Sequence, residues 1–195
     1  MQYGILRFLH LLGLTLIGAG LIGVWYADLR SRRVNNLSLF AESVRQIAVL
    51  YDGLVVPGAL LLLFSGSWLI VTMYGGWAFL GMPWLVGMVA LFFFEFVEGN
   101  TITRLYFLRL RRLTQAALEQ GQVTSELEKA RGEHVPTFTH FLDIPILFVI
   151  VALSAMRPAT WNTFLVGTSL ALLAAALLSY FIPRMYPFSI RRQGI

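Results

Sequence analysis

Apolar residues are gathered into five long runs, and the stretches between these runs hold most of the charged residues. A helix needs roughly 20 mostly apolar residues to cross the hydrocarbon core. The runs lack the strict alternation of barrel strands, and a helix pairs every backbone amide within lipid. The pattern therefore predicts an all-α transmembrane bundle that forms one domain over residues 1–195. Its five spans are expected at approximately 4–26, 54–74, 83–103, 140–156 and 161–182.

The first run is read as a retained helix and not as a secretory signal peptide. No basic segment precedes it, and its apolar core is longer than that of a signal peptide. Arg30, Arg32 and Arg33 follow it in the way that a stop-transfer segment would. We therefore expect this helix to remain in the protein.

Basic residues set the expected orientation of the bundle. Of the 15 Lys and Arg residues, thirteen fall in the first connection (27–53), the third connection (104–139) and the tail after the last run. Positively charged connections stay in the cytoplasm. We therefore expect a multi-pass protein of the bacterial inner membrane, with its N-terminus outside and its C-terminus in the cytoplasm.

The cytoplasmic connections carry signals of further helix. The third spanning helix has no proline to stop it after the membrane, so we expect it to continue until Gly121. Ser125 and Glu128 have the spacing of a capping box, which predicts a short helix that ends near Gly132. Asp52 is expected to be the N-cap of the second spanning helix.

Composition supports a membrane protein and narrows the chemistry. The chain is 57% hydrophobic and 13% charged, whereas soluble domains carry about 25% charged residues. Its mean hydropathy is +0.72. The absence of cysteine excludes disulfides, thiolate metal sites and thiol nucleophiles. The net charge of +5 follows the topology, so we predict contact with the lipid bilayer and none with nucleic acid.

The first helix has one face of small residues that also bears a histidine. His10, Gly13, Gly20, Gly23 and Ala27 share a side at about 100° per residue. Small residues let a second helix approach closely, so this face is expected to contact protein. In such a place His10 has several roles open to it: haem or metal ligand, proton relay, or hydrogen bonding to a neighbour.

A polar cluster is expected near the cytoplasmic side of the bundle. Glu95 and Glu98 are three residues apart, as are His140 and Asp143, so each pair projects from one helix face. Glu98 lies roughly 22 Å below the outer edge, close to the level of Asp143. Ionisable groups in a membrane face the bundle interior and pair with one another. We predict that Arg104 completes this cluster.

Three roles are open to the predicted cluster. Glu95, Glu98, His140 and Asp143 offer four ligands for iron, manganese or zinc. The same groups suit a proton or ion relay. A structural salt-bridge network that joins the third and fourth spanning helices is the third possibility.

The chain resembles two groups of membrane proteins. The segments ILRFLHLLGLTLIGAGLIGVWYADLRSRR, VVPGALLLLFSGSWLI, GGWAFLGMPWL and EFVEGNTITRLYF are similar to a family of predicted bacterial integral membrane proteins that is a domain of unknown function. More distantly, the histidine in LH near the start of the first helix resembles that of HemJ-type membrane protoporphyrinogen oxidases. This second resemblance implies haem as a cofactor with His10 as its ligand. The oxidase pattern also has a lysine inside a later helix, and the single lysine here is Lys129 in a cytoplasmic connection.

Three functions are consistent with these features. No nucleophile triad, phosphate-binding glycine loop or nucleotide motif is present in the sequence, which favours a non-catalytic component or accessory subunit of a membrane complex. Its contact surfaces with a membrane-protein partner, or with a second copy in a homo-oligomer, would be the small-residue face of the first helix and the basic segment 109–112. The alternatives are a haem-binding redox protein centred on His10 and an ion or small-molecule transporter.

Overall fold

The structure is a computed structural model that describes residues 2–190 and is built from helices. Five of the described helices are long and apolar enough to cross a membrane, which confirms the predicted fold class. Arg191 and Arg192, which belong to the predicted basic tail, lie outside the described residues. The helices are α1 (Gln2–Arg33), α2 (Leu37–Met73), α3 (Pro83–Gln120), α4 (Ser125–Arg131), α5 (His134–Met156) and α6 (Asn162–Met185).

Each predicted span corresponds to one helix to within a residue, but the second helix begins much earlier than expected. The N-cap of α2 is Asn36, whose Oδ1 accepts a hydrogen bond of 2.8 Å from the N–H of Ser38. Asp52 therefore lies inside a continuous helix, and its prediction as an N-cap was wrong. Because α2 starts early, an amphipathic segment, Leu37–Leu50, precedes its apolar run.

The third spanning helix continues past the apolar run, as predicted. It ends at Gly121, whose φ of 69° is the left-handed conformation that glycine adopts at a helix end. The short helix α4 also forms, but its cap is Thr124 and not Ser125. The Thr124 hydroxyl accepts a hydrogen bond of 3.2 Å from the N–H of Leu127.

Two π-helical turns, Tyr51–Val55 in α2 and Gly99–Thr103 in α3, lie next to each other in the bundle. The Tyr51 hydroxyl donates a hydrogen bond of 3.0 Å to the carbonyl oxygen of Gly99. A Cβ atom at residue 99 would stand 2.6 Å from the Tyr51 hydroxyl oxygen, so a side chain here would displace that hydroxyl from its hydrogen bond. Single π-helical turns inside α-helices occur frequently at functional sites. Here one of them follows Glu98 directly.

The small-residue face of α1 contacts protein, as the sequence predicts, but its neighbour is α2 of the same chain. The face is therefore not open to the separate partner or second copy that was expected there. A Cβ added at Gly13 would lie 2.9 Å from the carbonyl oxygen of Gly58, and one added at Gly20 would lie 2.6 Å from Cγ2 of Val55. Such distances are below van der Waals contact. The two helices therefore approach as closely as their backbones allow.

The apolar side chains form two buried clusters. The larger joins α1, α2, the C-terminal part of α3 and α4, and the smaller joins α3, α5 and α6. Helix α6 buries Ala171 and Ala175 but exposes large side chains such as Leu165 and Leu173. Exposed leucines are favourable where the surrounding solvent is lipid. This arrangement places α6 at the edge of the bundle.

Candidate functional site

Three carboxyl groups meet between α3 and α5. One ligand oxygen from each of Glu95, Glu98 and Asp143 lies within 4.8 Å of the other two. Glu98 is 5% exposed, Asp143 is 3% exposed, and Glu95 is partly buried. The structure therefore brings together three of the five residues of the predicted polar cluster. These three residues are called the carboxyl cluster below.

Local helix geometry positions the carboxyl cluster. Glu95 and Glu98 lie in the last α-helical turn before the π-helical turn of α3. Asp143 lies two residues before Pro145, which is inside α5. Proline has no backbone N–H, so the carbonyl group of Phe141 loses its usual helical partner beside Asp143.

Threonine hydroxyls orient the carboxylate of Glu98. Its Oε1 accepts a hydrogen bond of 2.7 Å from the Thr103 hydroxyl, and the Thr103 and Thr139 hydroxyl oxygens are 3.0 Å apart. Thr103 is fully buried and Thr139 is 8% exposed. Groups of this kind fix the orientation of a carboxylate that holds a cation.

Each residue of the carboxyl cluster has one oxygen without a partner among the described residues. These atoms are Oε1 of Glu95, Oε2 of Glu98 and Oδ2 of Asp143, and all three are buried. The ion pairs between described residues involve none of them. Buried oxygens without a hydrogen-bond donor are rare in proteins, and one explanation for them is an ion.

Arg104 does not neutralise the carboxyl cluster. Its Nε donates a hydrogen bond of 2.8 Å to Oδ1 of Asp52, and both side chains are partly exposed. Arg104 was predicted to complete the polar cluster, but it instead forms a bridge between α3 and α2. No cationic side chain in residues 2–190 forms an ion pair with the carboxyl cluster.

The electrostatic cost of three adjacent carboxylates is large. Two unit charges 4.8 Å apart repel by about 3 kcal/mol at an effective dielectric constant of about 20. Three such pairs give roughly 10 kcal/mol, which is comparable with the whole stability of a typical protein. A bound cation, or protons on the carboxyl groups, would relieve this repulsion.

His140 faces a different group of residues. Its Nε2 lies 3.9 Å from Oδ2 of Asp28, and its ring meets that of Phe107 edge-on at 5.3 Å between centroids. Asp28 also accepts a hydrogen bond of 2.9 Å from Nε of Arg32, and both residues are buried. His140 thus lies outside the carboxyl cluster, and the predicted cluster of five is divided into separate contacts.

Asp28 was not predicted as a site residue, although its spacing from Arg32 indicates an ion pair. Asp28 and Arg32 have the i,i+4 spacing of a helical ion pair at the end of the first apolar run. In the structure they bring a charged pair to α5 at the position of His140.

His10 lies at the other end of the bundle. Its Nδ1 is 3.0 Å from the hydroxyl oxygen of Ser65 in α2, and its ring lines a cavity of about 560 Å³. This position fits the hydrogen-bonding role and leaves room for a ligand. Lys129, however, lies in α4 and not among the residues that line the cavity. The residues present thus match the oxidase pattern at His10 alone, and haem stays a prediction.

Comparisons with known proteins place the chain in a family. No curated protein and no solved structure matches it. A family model described as "Predicted integral membrane protein (DUF2269)" matches residues 4–158, which include nearly all of α1, the helices α2 to α5 and the carboxyl cluster. Because this match covers most of the chain, the protein belongs to the DUF2269 family of predicted integral membrane proteins.

Proposed function

We propose that this protein is a multi-pass, cation-binding protein of the bacterial inner membrane and that the carboxyl cluster is its binding site. One observation carries the proposal: three buried carboxyl groups within 4.8 Å of one another have free oxygens and no cationic partner among the described residues. Ionisable groups inside a membrane mark functional sites. A divalent cation between Glu95, Glu98 and Asp143 would remove their mutual repulsion.

The donor atoms favour a hard cation. With His140 turned towards Asp28, the carboxyl cluster offers only oxygen ligands. Carboxylate oxygens suit Mg²⁺, Ca²⁺ and Mn²⁺, whereas zinc sites usually include histidine or cysteine. Among the metals expected from the sequence, manganese therefore fits better than iron or zinc.

A non-catalytic role agrees with this site. A cation held by Glu95 and Glu98 of α3 and by Asp143 of α5 would join two spanning helices without any reaction. Arg111 and Arg112 extend from the cytoplasmic part of α3 and are exposed, so they are available to a partner subunit or to anionic head groups. These features support a component of a membrane complex. The transporter and the haem protein remain alternatives.

Thermal melting of the detergent-purified protein tests the cation site. A ligand at about 100 times its Kd stabilises a protein by about 2.7 kcal/mol, which corresponds to roughly 5 to 10 °C for a chain of this size. We expect EDTA to lower the Tm by this amount and Mg²⁺ or Mn²⁺ to restore it. Glu98→Gln and Asp143→Asn keep the side-chain shapes but remove a charge, so neither variant should respond to EDTA.

Glu126→Gln is the matched control, because Glu126 is an exposed residue in the first turn of α4. It should respond to EDTA as the wild type does. If EDTA leaves the Tm of the wild type unchanged, and the wild type melts below both cluster variants, the cation site is refuted. That result would instead favour protons at the carboxyl cluster.

A further inference from the structure

A cavity opens at the end of the bundle opposite to the basic connections. It is enclosed by α1, α2, α3 and α5 and has a volume of about 560 Å³. Its walls are mostly apolar and include Met88 and Phe92, while Arg7 and Arg157 contribute positive charge. The cavity therefore combines a hydrocarbon-like interior with a cationic edge.

The two arginines of the cavity are exceptions in the charge distribution of the chain. Thirteen of the 15 basic residues lie in the connections and the tail that are expected in the cytoplasm, and the other two are Arg7 and Arg157. Positive charge is disfavoured on the opposite side of the membrane. Both exceptions nevertheless line the same cavity, although they are 150 residues apart in the sequence.

Among the described residues, no carboxylate pairs with these arginines. The segments 1–27, 53–94 and 144–195 contain no Asp or Glu, and the described residues that line the cavity include no acid. The described ion pairs do not involve Arg7 or Arg157. Both arginines are exposed and can therefore bind an anion from outside the chain.

Arg157 is held at the cavity in an unusual backbone conformation. It ends α5 with a φ of 46°, in the left-handed region where a residue with a Cβ atom is strained. Glycine is the usual residue at such a helix end. The Arg157 guanidinium lies 5.5 Å from the centre of the Trp84 ring, within the range of a cation–π contact. A cation is thus placed where glycine would fit the backbone better.

We propose that this cavity binds an anionic phospholipid of the adjacent leaflet. Its phosphate group would lie between Arg7 and Arg157, because guanidinium groups bind phosphate oxygens in a bidentate manner. Its acyl chain would follow the apolar wall towards Met88 and Phe92. Phe93, which also lines the cavity, is 63% exposed, so the cavity is open to lipid from the side.

Native mass spectrometry of the detergent-purified protein tests this proposal with phosphatidylglycerol and phosphatidylcholine as probes. We expect the wild type to bind phosphatidylglycerol more tightly than phosphatidylcholine. Arg7→Gln and Arg157→Gly should each weaken the binding of phosphatidylglycerol by roughly tenfold or more, as expected for the loss of a charged hydrogen bond. Arg45→Gln, which removes an exposed arginine of α2 that does not line the cavity, should leave binding unchanged.

The Arg157→Gly variant separates binding from folding. Glycine adopts a positive φ without strain, so this variant should melt no lower than the wild type while it loses the lipid. Three results would overturn the proposal: equal loss in Arg45→Gln, displacement of the lipid by millimolar inorganic phosphate alone, or a Soret band that shows haem in the purified protein. The second would indicate an anion site without a lipid chain.

Discussion

The close contact between α1 and α2 predicts a large effect for one methyl group. In Gly58→Ala the new Cβ atom would stand 2.8 Å from the carbonyl oxygen of Gly13, 2.9 Å from Cγ1 of Ile17 and 2.9 Å from the backbone nitrogen of Ile17. Two of these three atoms belong to the backbone of α1 and cannot rotate away. The helices must therefore separate by several tenths of an ångström along a packed interface.

Overpacking of this kind costs about 1 to 3 kcal/mol, which lowers the Tm by roughly 2 to 12 °C in a chain of this size. Gly53→Ala is the matched control on the same helix, because a Cβ atom at residue 53 meets no atom within 4 Å. Alanine is favoured over glycine in a helix by up to about 1 kcal/mol, so Gly53→Ala should melt at or above the wild type. Thermal melting followed by size-exclusion chromatography in detergent compares the two variants. If Gly58→Ala melts as high as Gly53→Ala, the close packing of α1 on α2 is refuted.

Three further outcomes are expected. Asp28→Leu should lower the free energy of unfolding by about 3 to 5 kcal/mol because it leaves Arg32 buried without its partner. In a denaturation series, the double variant Asp28→Leu/Arg32→Met should recover most of that loss. An equal loss in the double variant would contradict the buried pair. A reporter fused after Ile195, which lies outside the described residues, should read as cytoplasmic, and a reporter in the 75–81 connection should read as external. If both reporters read the same side, the five-span topology is refuted. The purified protein should show no Soret band, and a band that disappears in His10→Ala would establish the haem alternative.

The spanning helices were predictable because each requires a long apolar run that is visible in the sequence. The start of α2 was not, because the segment from Leu37 to Asp52 is polar on one side and continues the helix outside the apolar run. Asp52 followed the pattern of a local cap, but its carboxylate instead accepts from Arg104 on another helix. Such a choice between a local and a distant partner depends on the packing of the bundle.

The carboxyl cluster was predictable only in part, because the depth of a residue along a helix can be counted from the sequence but the neighbour of its side chain cannot. Counting depth along α3 brought Glu98 to the level of Asp143, and the structure places their ligand oxygens within 4.8 Å. His140 was predicted in the same cluster as Asp143 but lies outside it, because residues three apart on a helix point about 60° away from each other. One then faces α3, whereas the other faces Asp28 of α1. Which helix lies opposite each side chain is a property of the tertiary fold.

Titration with Mn²⁺, followed by electron paramagnetic resonance of the detergent-purified protein, measures cation binding at the carboxyl cluster directly. The free ion gives a six-line spectrum that is broadened on binding, and Mg²⁺ competes for the same oxygen ligands. We expect the wild type to bind one Mn²⁺ per chain in competition with Mg²⁺, and Glu98→Gln and Asp143→Asn to lose that binding. Equal binding of Mn²⁺ by the wild type and by both variants, or no binding by the wild type, would contradict a cation site formed by Glu95, Glu98 and Asp143.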